Sequence, residues 1–204
     1  MHGMTRSASA LLGAAALGVL LAMAPAPQPA SWALTVEPLP TPTAARSGQP
    51  QLSVSNRGVI LSWIERTGDT ATLKFAETTP TGWSEPQTVA SGRDWFVNWA
   101  DVPSVARLKD GTLVAHWLQK SGPGTYAYDV RLSYSKDGGR TWAPSFLPHH
   151  DGTKTEHGFV SMFDAPGGGL GLVWLDGRAM AGHEGGGDMS LRFAAFDGTW
   201  KQAA

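Results

Sequence analysis

The chain has 204 residues, and its 16 Lys and Arg against 17 Asp and Glu give a formal net charge of −1. This balance argues against a surface for nucleic acid or an anionic membrane, because there is no excess positive field to attract phosphate. The absence of cysteine excludes disulfides, thiol catalysis and cysteine-ligated metals. The 25 Gly and 14 Pro predict many turns, as an all-β chain requires.

The N-terminal segment has the pattern of a secretory signal. Arg6 precedes an apolar run at residues 8–24, and small residues flank cleavage points near its end. A membrane-spanning helix needs about 20 apolar residues, so this run is more typical of a cleaved signal. The sequence predicts a signal peptide at residues 1–26 and a Pro/Ala/Thr linker at residues 27–45. The mature protein would then be exported and would have no membrane span after cleavage. The alternative is that the segment stays uncleaved and anchors the protein in the membrane.

Two tryptophan series keep the same period through the rest of the chain. One series is spaced by 54 and 57 residues: Trp63, Trp117 and Trp174. The other is spaced by 59 and 58 residues: Trp83, Trp142 and Trp200. Two features that share one period indicate a repeated supersecondary unit. The length of the unit suits a four-stranded propeller blade.

Each unit repeats one order of short apolar runs separated by turn residues, and helical periodicity is absent from it. The first strands are predicted at residues 51–55, 102–108 and 159–163. The second strands, which carry the first tryptophan series, are predicted at residues 59–64, 112–118 and 170–175. The third strands are predicted at residues 71–77, 128–135 and 189–196, and the second tryptophan series opens the fourth strands.

The predicted fold is therefore all-β, a β-propeller of four-stranded antiparallel blades. Three blades are present, at about residues 46–90, 101–147 and 156–204. Propellers close with about 4 to 8 blades, since an open arc exposes the sides of its terminal blades. The sequence thus predicts an incomplete propeller that holds about half of a larger domain.

One turn carries a specific motif of the form S-x-D-x-G-x-T-W. Its residues are Ser135, Asp137, Gly139, Thr141 and Trp142. The Ser and Asp side chains can bond nearby backbone N–H groups, and Gly permits a positive φ. Degraded copies stand at the equivalent turns of the other units, at residues 79–83 and 196–200.

This motif resembles the Asp-box (BNR) repeat of the sialidase superfamily, and the resemblance covers about residues 46–204. It implies a sialidase-like propeller, six-bladed when complete, with the Asp box at the outer, lower side, so that Asp137 is structural. It also implies exo-acting hydrolysis of sialosides or related glycans. In that chemistry three arginines bind the substrate carboxylate, a Glu activates a Tyr nucleophile, and an Asp serves as acid/base.

The resemblance carries over to few positions outside the Asp box. Arg46 matches the first arginine loosely, because the family's Arg-Ile-Pro motif is absent from this strand. Asp69 is the candidate acid/base, since it is the only Asp in the corresponding loop of the first blade. The later arginines, the Tyr and the Glu would lie mostly in blades beyond these three.

Strand order predicts where chemistry sits. If the Asp-box turns are at the lower edge, the upper edge carries the loops from second to third strands and those between blades. Loops on a rigid scaffold commonly carry function. These loops are residues 66–70, 90–101, 119–127, 148–157 and 176–188.

The loop at residues 90–101 is the most distinctive of these. Its candidate substrate-binding residues are Arg93, Asp94, Trp95 and Trp99. Both tryptophans fall outside the repeated series, so they could stack on a sugar ring while neighbouring polar groups bind its hydroxyls. The alternative is that both tryptophans fill the central channel.

Three acidic residues enter the upper edge elsewhere. Asp101 and Glu156 precede successive first strands, and such paired carboxylates suit proton transfer and oxocarbenium stabilisation in glycoside hydrolysis. The alternative is that they are capping or solvated charges.

Asp176 precedes Arg178, an arginine that could bind a carboxylate bidentately. The alternative there is an ion pair that braces a long loop.

No metal or cofactor is predicted. Five residues of the predicted third blade and its entry have side chains that can bind a metal ion, but their spacing matches no zinc-type pattern: His149, His150, Asp151, Glu156 and His157.

The leading function is an exported sialidase-like glycoside hydrolase with a glycan or glycoconjugate partner. A non-catalytic glycan-binding propeller and a protein-interaction or assembly propeller are the alternatives. Because half of the expected site is absent, the 204-residue chain is predicted not to turn over sialosides.

Overall fold

The computed structural model describes residues 33–182 and 187–201, so the predicted signal peptide lies outside the described residues. The chain divides after Glu37, and the unit Pro38–Ala204 is the one described below. Its strands are β1 (Ser47–Ser55), β2 (Gly58–Thr67), β3 (Thr70–Thr79), β4 (Gly82–Trp83), β5 (Gln87–Gly92), β6 (Ser104–Arg107), β7 (Leu113–Lys120), β8 (Tyr128–Ser135), β9 (His157–Asp164), β10 (Leu170–Asp176) and β11 (Ser190–Phe196). A single turn of 3₁₀ helix, Arg178–Met180, is the one helical element in the described ranges.

The strands form three antiparallel sheets that follow one another along the chain. The first has the order β1-β2-β3-β4, with β5 also paired to β3. The second has the order β6-β7-β8, and the third has the order β11-β10-β9. In each sheet three consecutive strands pair in antiparallel order, so the predicted all-β fold with repeated blade units is confirmed.

The predicted fourth strands are the part of the repeat that differs. In the first sheet Trp83 lies on the two-residue β4, and β5 completes the edge. In the second sheet the segment after Trp142 pairs irregularly with β8: the Ala143 N–H donates to the Tyr134 carbonyl, and Phe146 forms an isolated bridge with Leu132. Pro144 interrupts that segment, and because proline has no N–H it cannot continue a ladder. The fourth strand predicted to open at Trp142 is therefore present as an irregular, interrupted edge of the second sheet.

Apolar side chains between successive sheets hold the three units together. Leu73, Phe75 and Trp95 pack with Trp117 and Leu113 between the first and second sheets. A second buried cluster joins the second and third sheets, with these members among others: Leu118, Val130, Leu132, Leu172 and Trp174. The innermost strands β1, β6 and β9 together line a cavity of about 340 Å³. First strands that face one common space are what the radial arrangement of a propeller requires.

Two edges of the sheets are distinguished by strand direction. At the upper edge β2, β5, β7 and β10 end, and β3, β6, β8, β9 and β11 begin. The Asp-box turn follows β8 and therefore lies at the lower edge. Within the described ranges, no helix is long and apolar enough to cross a membrane.

Candidate functional site

The upper edge of the first sheet contains a cavity of about 390 Å³. It lies between the β2–β3 turn and the segment that follows β5. Three charged side chains line it: Arg66, Asp69 and Arg93. Asp69 is placed by a tight turn in which Gly68 has a φ of 57°, a conformation that glycine adopts without a Cβ penalty. The cavity thus brings together Asp69 and Arg93, which were both sequence candidates, with Arg66, which was not.

The charged side chains that line this cavity have a net positive charge, because two of them are arginines and one is an aspartate. In the described part of the chain, Arg66 and Arg93 form no ion pair with a carboxylate within 4.0 Å. The backbone carbonyl of Arg46 accepts the N–H of Arg66 at 3.3 Å, so a third arginine adjoins the same edge. Two unpaired arginines beside one carboxylate leave a site in which an anionic group can be bound by charge-assisted hydrogen bonds.

The two tryptophans of the loop have different surroundings. Trp95 is buried and stacks on Trp117, with ring centroids 5.3 Å apart and planes inclined by 22°. Its face is covered by protein, so the ring forms the floor of the cavity and is not a platform for a sugar. Trp99, in contrast, is 90% exposed.

Asp94 fixes the loop to the second sheet. Its side chain accepts a hydrogen bond from Gln119 at 2.7 Å, and its carbonyl accepts the N–H of Lys120 at 2.7 Å.

A second group of side chains joins the upper edges of the second and third sheets. The Tyr128 hydroxyl donates a hydrogen bond to Glu156 at 2.6 Å. The carboxylate of Asp101 accepts the N–H of Phe159 at 2.8 Å. The structure therefore brings Asp101 and Glu156 to one place, with Tyr128 as a partner that the sequence did not reveal.

Burial determines the electrostatics of this group. Burial raises the pKa of Asp101 to about 6 against the lowering effect of the Phe159 hydrogen bond, and the Glu156 carboxylate adds to the rise. Burial and the hydrogen bond to Glu156 also raise the pKa of Tyr128 above its ordinary value. Tyr128 is only 1% exposed and stacks on Phe96 at 4.1 Å. Its hydroxyl is therefore protonated and lies beneath the surface.

Asp176 and Arg178 pair with each other. The Arg178 guanidinium donates to both carboxylate oxygens of Asp176 at 2.7 Å and lies 3.3 Å from Asp151. Burial alone would raise the pKa of Asp176, but hydrogen bonds from Arg178 and Trp174 outweigh it and lower the pKa to about 2. The guanidinium is thus occupied by internal carboxylates, and the arrangement is that of a brace for the loop after β10.

Two histidines stack between the second and third sheets. The rings of His149 and His157 are 4.0 Å apart and nearly parallel, at 7°. Acidic side chains surround them, and two sets of ligand-type atoms lie within 4.8 Å of one another: Asp129, His149 and His157, and Asp151, His157 and Asp176. Burial and the neighbouring His157 lower the pKa of His149 to about 4.

The stack is not arranged for a shared metal ion. A ligated metal lies near the plane of each imidazole ring, and parallel rings separated by van der Waals contact cannot both satisfy this at about 2.1 Å. In the second set, Arg178 already lies against Asp151 and Asp176. The cluster is therefore a buried polar and aromatic contact between sheets.

The Asp box lies at the opposite edge, away from these groups. Asp137 accepts hydrogen bonds from Ser135 at 2.8 Å, from the Thr141 N–H at 2.9 Å and from the Thr141 hydroxyl at 2.7 Å. The hydrogen bonds from Thr141 and Ser135 lower the pKa of Asp137 to about 2. Trp142 packs edge-on against Phe75 of the first sheet. The Asp137 carboxylate is thus used within the turn.

The degraded turn of the third unit repeats this bonding. Asp197 accepts the Thr199 N–H at 2.8 Å and the Thr199 hydroxyl at 2.7 Å. Trp200 stacks on Tyr134 at 4.0 Å.

Comparisons with known proteins give likenesses of fold alone. No known protein family and no curated protein matches the sequence. An endo-arabinase from Bacteroides thetaiotaomicron is similar in structure, with 13% identity and a TM-score of 0.46 over 74% of this chain. A sialidase from Streptococcus pneumoniae is similar with 14% identity and a TM-score of 0.46 over 75% of this chain. This chain spans 56% of the first protein and 22% of the second.

Proposed function

We propose that this chain is part of an exported, sialidase-like glycoside hydrolase that acts on the terminal acidic sugar of a glycan. The observation that carries the proposal is the upper-edge cavity in which Arg66 and Arg93 flank Asp69. Its volume of about 390 Å³ is at the small end of the range for ligand sites, which suits one sugar ring.

In this proposal the two arginines bind the sugar carboxylate and Asp69 exchanges a proton with the glycosidic oxygen. Guanidinium groups suit the first role because their planar donors match a carboxylate bidentately. A carboxyl group within reach of the scissile bond suits proton exchange with the glycosidic oxygen. The Asp-box resemblance supports the same substrate class, because it implies arginines for the carboxylate and an Asp as acid/base.

A second candidate function is non-catalytic binding of an acidic glycan. It is favoured for these three units taken alone, because the Tyr–Glu pair in the described residues cannot supply a nucleophile: the Tyr128 ring is covered by Phe96 and is 1% exposed. The Asp-box resemblance implies a Tyr nucleophile in further blades, so hydrolysis would need that residue. Both candidates share the binding step and differ in turnover.

The experiment measures binding first and turnover second. Titration calorimetry with free sialic acid and with glucuronic acid is compared between the native chain and the variants Arg66→Ala and Arg93→Ala. Each variant should weaken binding at least tenfold, because a hydrogen bond to a charged group contributes about 1.5 to 3 kcal/mol. Arg57→Ala is the matched control, since Arg57 is an exposed arginine at the lower edge.

Turnover is followed with a fluorogenic sialoside. Fluorophore release that Asp69→Asn abolishes supports the hydrolase. Binding without release agrees with the second candidate, and also with a hydrolase whose remaining site residues lie in further blades, as the Asp-box resemblance implies. Failure of every acidic sugar to bind, or equal loss in Arg57→Ala, refutes both.

A further inference from the structure

The stacked rings of His149 and His157 join a loop to a strand. His157 is the first residue of β9, whereas His149 belongs to the segment at residues 148–156, which connects the second sheet to the third. Both side chains are buried, with exposed fractions of 4% for His149 and 0% for His157. Histidine changes its charge closer to neutral pH than any other unperturbed side chain. The contact between the segment and β9 therefore includes two groups that protons can alter.

Both nitrogens of the His157 ring face hydrogen-bond acceptors. Around Nδ1 lie the backbone carbonyls of Tyr128 at 3.3 Å and Thr155 at 3.1 Å, and an Asp129 carboxylate oxygen at 3.4 Å. Nε2 lies 3.3 Å from a carboxylate oxygen of Asp151. A neutral imidazole has one N–H and one lone pair, whereas an imidazolium has two N–H groups. The surroundings of this ring therefore suit the imidazolium.

The His149 ring has a partner at one nitrogen. Its Nδ1 lies 3.0 Å from an Asp151 carboxylate oxygen, so Nδ1 carries the proton of the neutral ring. Its Nε2 is buried and has no hydrogen-bond partner among the described residues. A proton on Nε2 would put a positive charge 4.0 Å from the His157 ring, where little water screens the repulsion. Burial, followed by the neighbouring His157, accordingly lowers the pKa of His149 to about 4.

One carboxylate holds the segment to the third sheet. The Asp151 oxygen that faces His149 lies 3.3 Å from the His157 Nε2 and 3.3 Å from the Arg178 guanidinium. At the end of the segment, the Glu156 carbonyl accepts the N–H of Gly177 at 2.7 Å. The segment is thus attached by polar contacts near its middle and by a backbone hydrogen bond at its last residue.

Charged and titratable groups from all the neighbouring elements surround the stack. They are Asp129 and Arg131 on β8, Asp151 and the exposed His150 in the segment, Asp176 on β10, Arg178 after β10 and Arg192 on β11. Burial would raise the pKa of Asp151, but hydrogen bonds from Thr153 outweigh it and lower this pKa, so the carboxyl stays ionised in weak acid. Burial raises the pKa of Asp129, which stabilises the folded contact as pH falls and so acts against His149. A substitution of His149 alone separates the two effects.

We propose that residues 148–156 form an acid-sensitive latch, closed while His157 is charged and His149 is neutral, and released when His149 also accepts a proton. Release would uncover the Tyr128 hydroxyl, because its partner Glu156 is the last residue of the latch.

The direction follows from proton linkage at His149. The folded pKa of about 4 lies below the ordinary value of 6.5, so the released latch binds the proton more tightly than the closed latch does. The contribution of His149 to closure is fully present above pH 6.5 and is lost as pH falls toward 4. Between pH 7.5 and pH 4.5 this contribution should weaken closure about 70-fold.

Hydrogen exchange at the Gly177 N–H tests the latch, because this amide is bonded to the last latch residue. Its protection factor, which removes the intrinsic pH dependence of exchange, should be about 70-fold lower at pH 4.5 than at pH 7.5. His149→Asn keeps an N–H donor for Asp151 and cannot take up a proton, so this variant should lose the decrease. His150→Asn is the matched control, since His150 is the exposed neighbour, and it should keep the decrease.

The exchange results also distinguish local release from unfolding of the whole chain. Gly177 should exchange faster than the amides of β2 at both pH values, since a latch opens without unfolding the first sheet. Equal protection at Gly177 and β2, or a decrease that persists in His149→Asn, would overturn the latch. So would a protection factor at Gly177 that does not change with pH in the native chain.

NMR of the imidazole rings tests the charges in the native chain without any variant. Nitrogen shifts should show two protonated nitrogens on His157 at pH 7, and the His149 ring should titrate well below the exposed His150. A neutral His157 at pH 7, or a His149 ring that titrates together with His150, contradicts the proposal.

Discussion

Replacing Asp101 by Asn should make the protein more stable at neutral and alkaline pH. The pKa of this carboxyl is raised from 3.8 to about 6 in the folded chain, so the folded state holds its proton more tightly than the unfolded state does. The resulting stability is fully present below pH 3.8 and is lost as pH rises through 6. A rise of about two pKa units at 1.36 kcal/mol per unit corresponds to about 3 kcal/mol.

Asn removes the buried charge and keeps an oxygen that can accept the Phe159 N–H. Asp101→Asn should therefore gain about 2 to 3 kcal/mol over the native chain at pH 8 and little at pH 4. Urea unfolding followed by tryptophan fluorescence at several pH values measures this difference. Asp101→Ala, which leaves the N–H without an acceptor, should be less stable at every pH.

An Asp101→Asn variant that is destabilised at pH 8 as much as Asp101→Ala would show that the charge itself is favourable there. Asp69→Asn is the control on the same edge. The Asp69 side chain is exposed, so its variant should leave the unfolding midpoint unchanged at both pH values.

Two further predictions concern the contacts around the third sheet. Gly158→Ala should destabilise the chain by about 1 to 3 kcal/mol, since the new Cβ would meet the Asp101 carboxylate. Gly48→Ala, where the nearest 4 Å are empty, should be close to neutral in the same urea titration; equal effects would contradict the packing argument. Arg178→Ala should cost about 2 to 3 kcal/mol, because the buried Asp176 loses its bidentate partner. Thermal unfolding tests this, and Arg178→Lys should fail to restore stability, since Lys cannot reproduce the paired contact.

Local sequence patterns determined most of the strands. The second strands were placed within a few residues because each combines an apolar run with a repeated tryptophan and ends at a turn. The Asp-box turn could also be predicted from the sequence, because its hydrogen bonds join Ser135, Asp137 and Thr141 within seven residues. The interruption of the fourth strand in the second blade was not predicted, although Pro144 lacks the N–H that a continuous ladder requires.

The site depended on contacts that sequence alone does not encode. Trp95 and Trp99 are four residues apart in one loop, and only the neighbouring sheet, by covering one ring with Trp117, makes one a core residue. Tyr128 and Glu156 are 28 residues apart, and no local pattern couples them.

An all-β chain of repeated antiparallel units, the position of the Asp box and the edge that carries the variable loops could all be predicted from the amino-acid sequence. Those features follow from alternation of side chains, turn chemistry and strand direction, which are all local. Which charged side chains form ion pairs depends on packing between distant segments. Arg178 forms an ion pair with Asp176, whereas Arg66 and Arg93 line a cavity. Packing decides this difference, because it brings charged side chains of distant segments close together or keeps them apart.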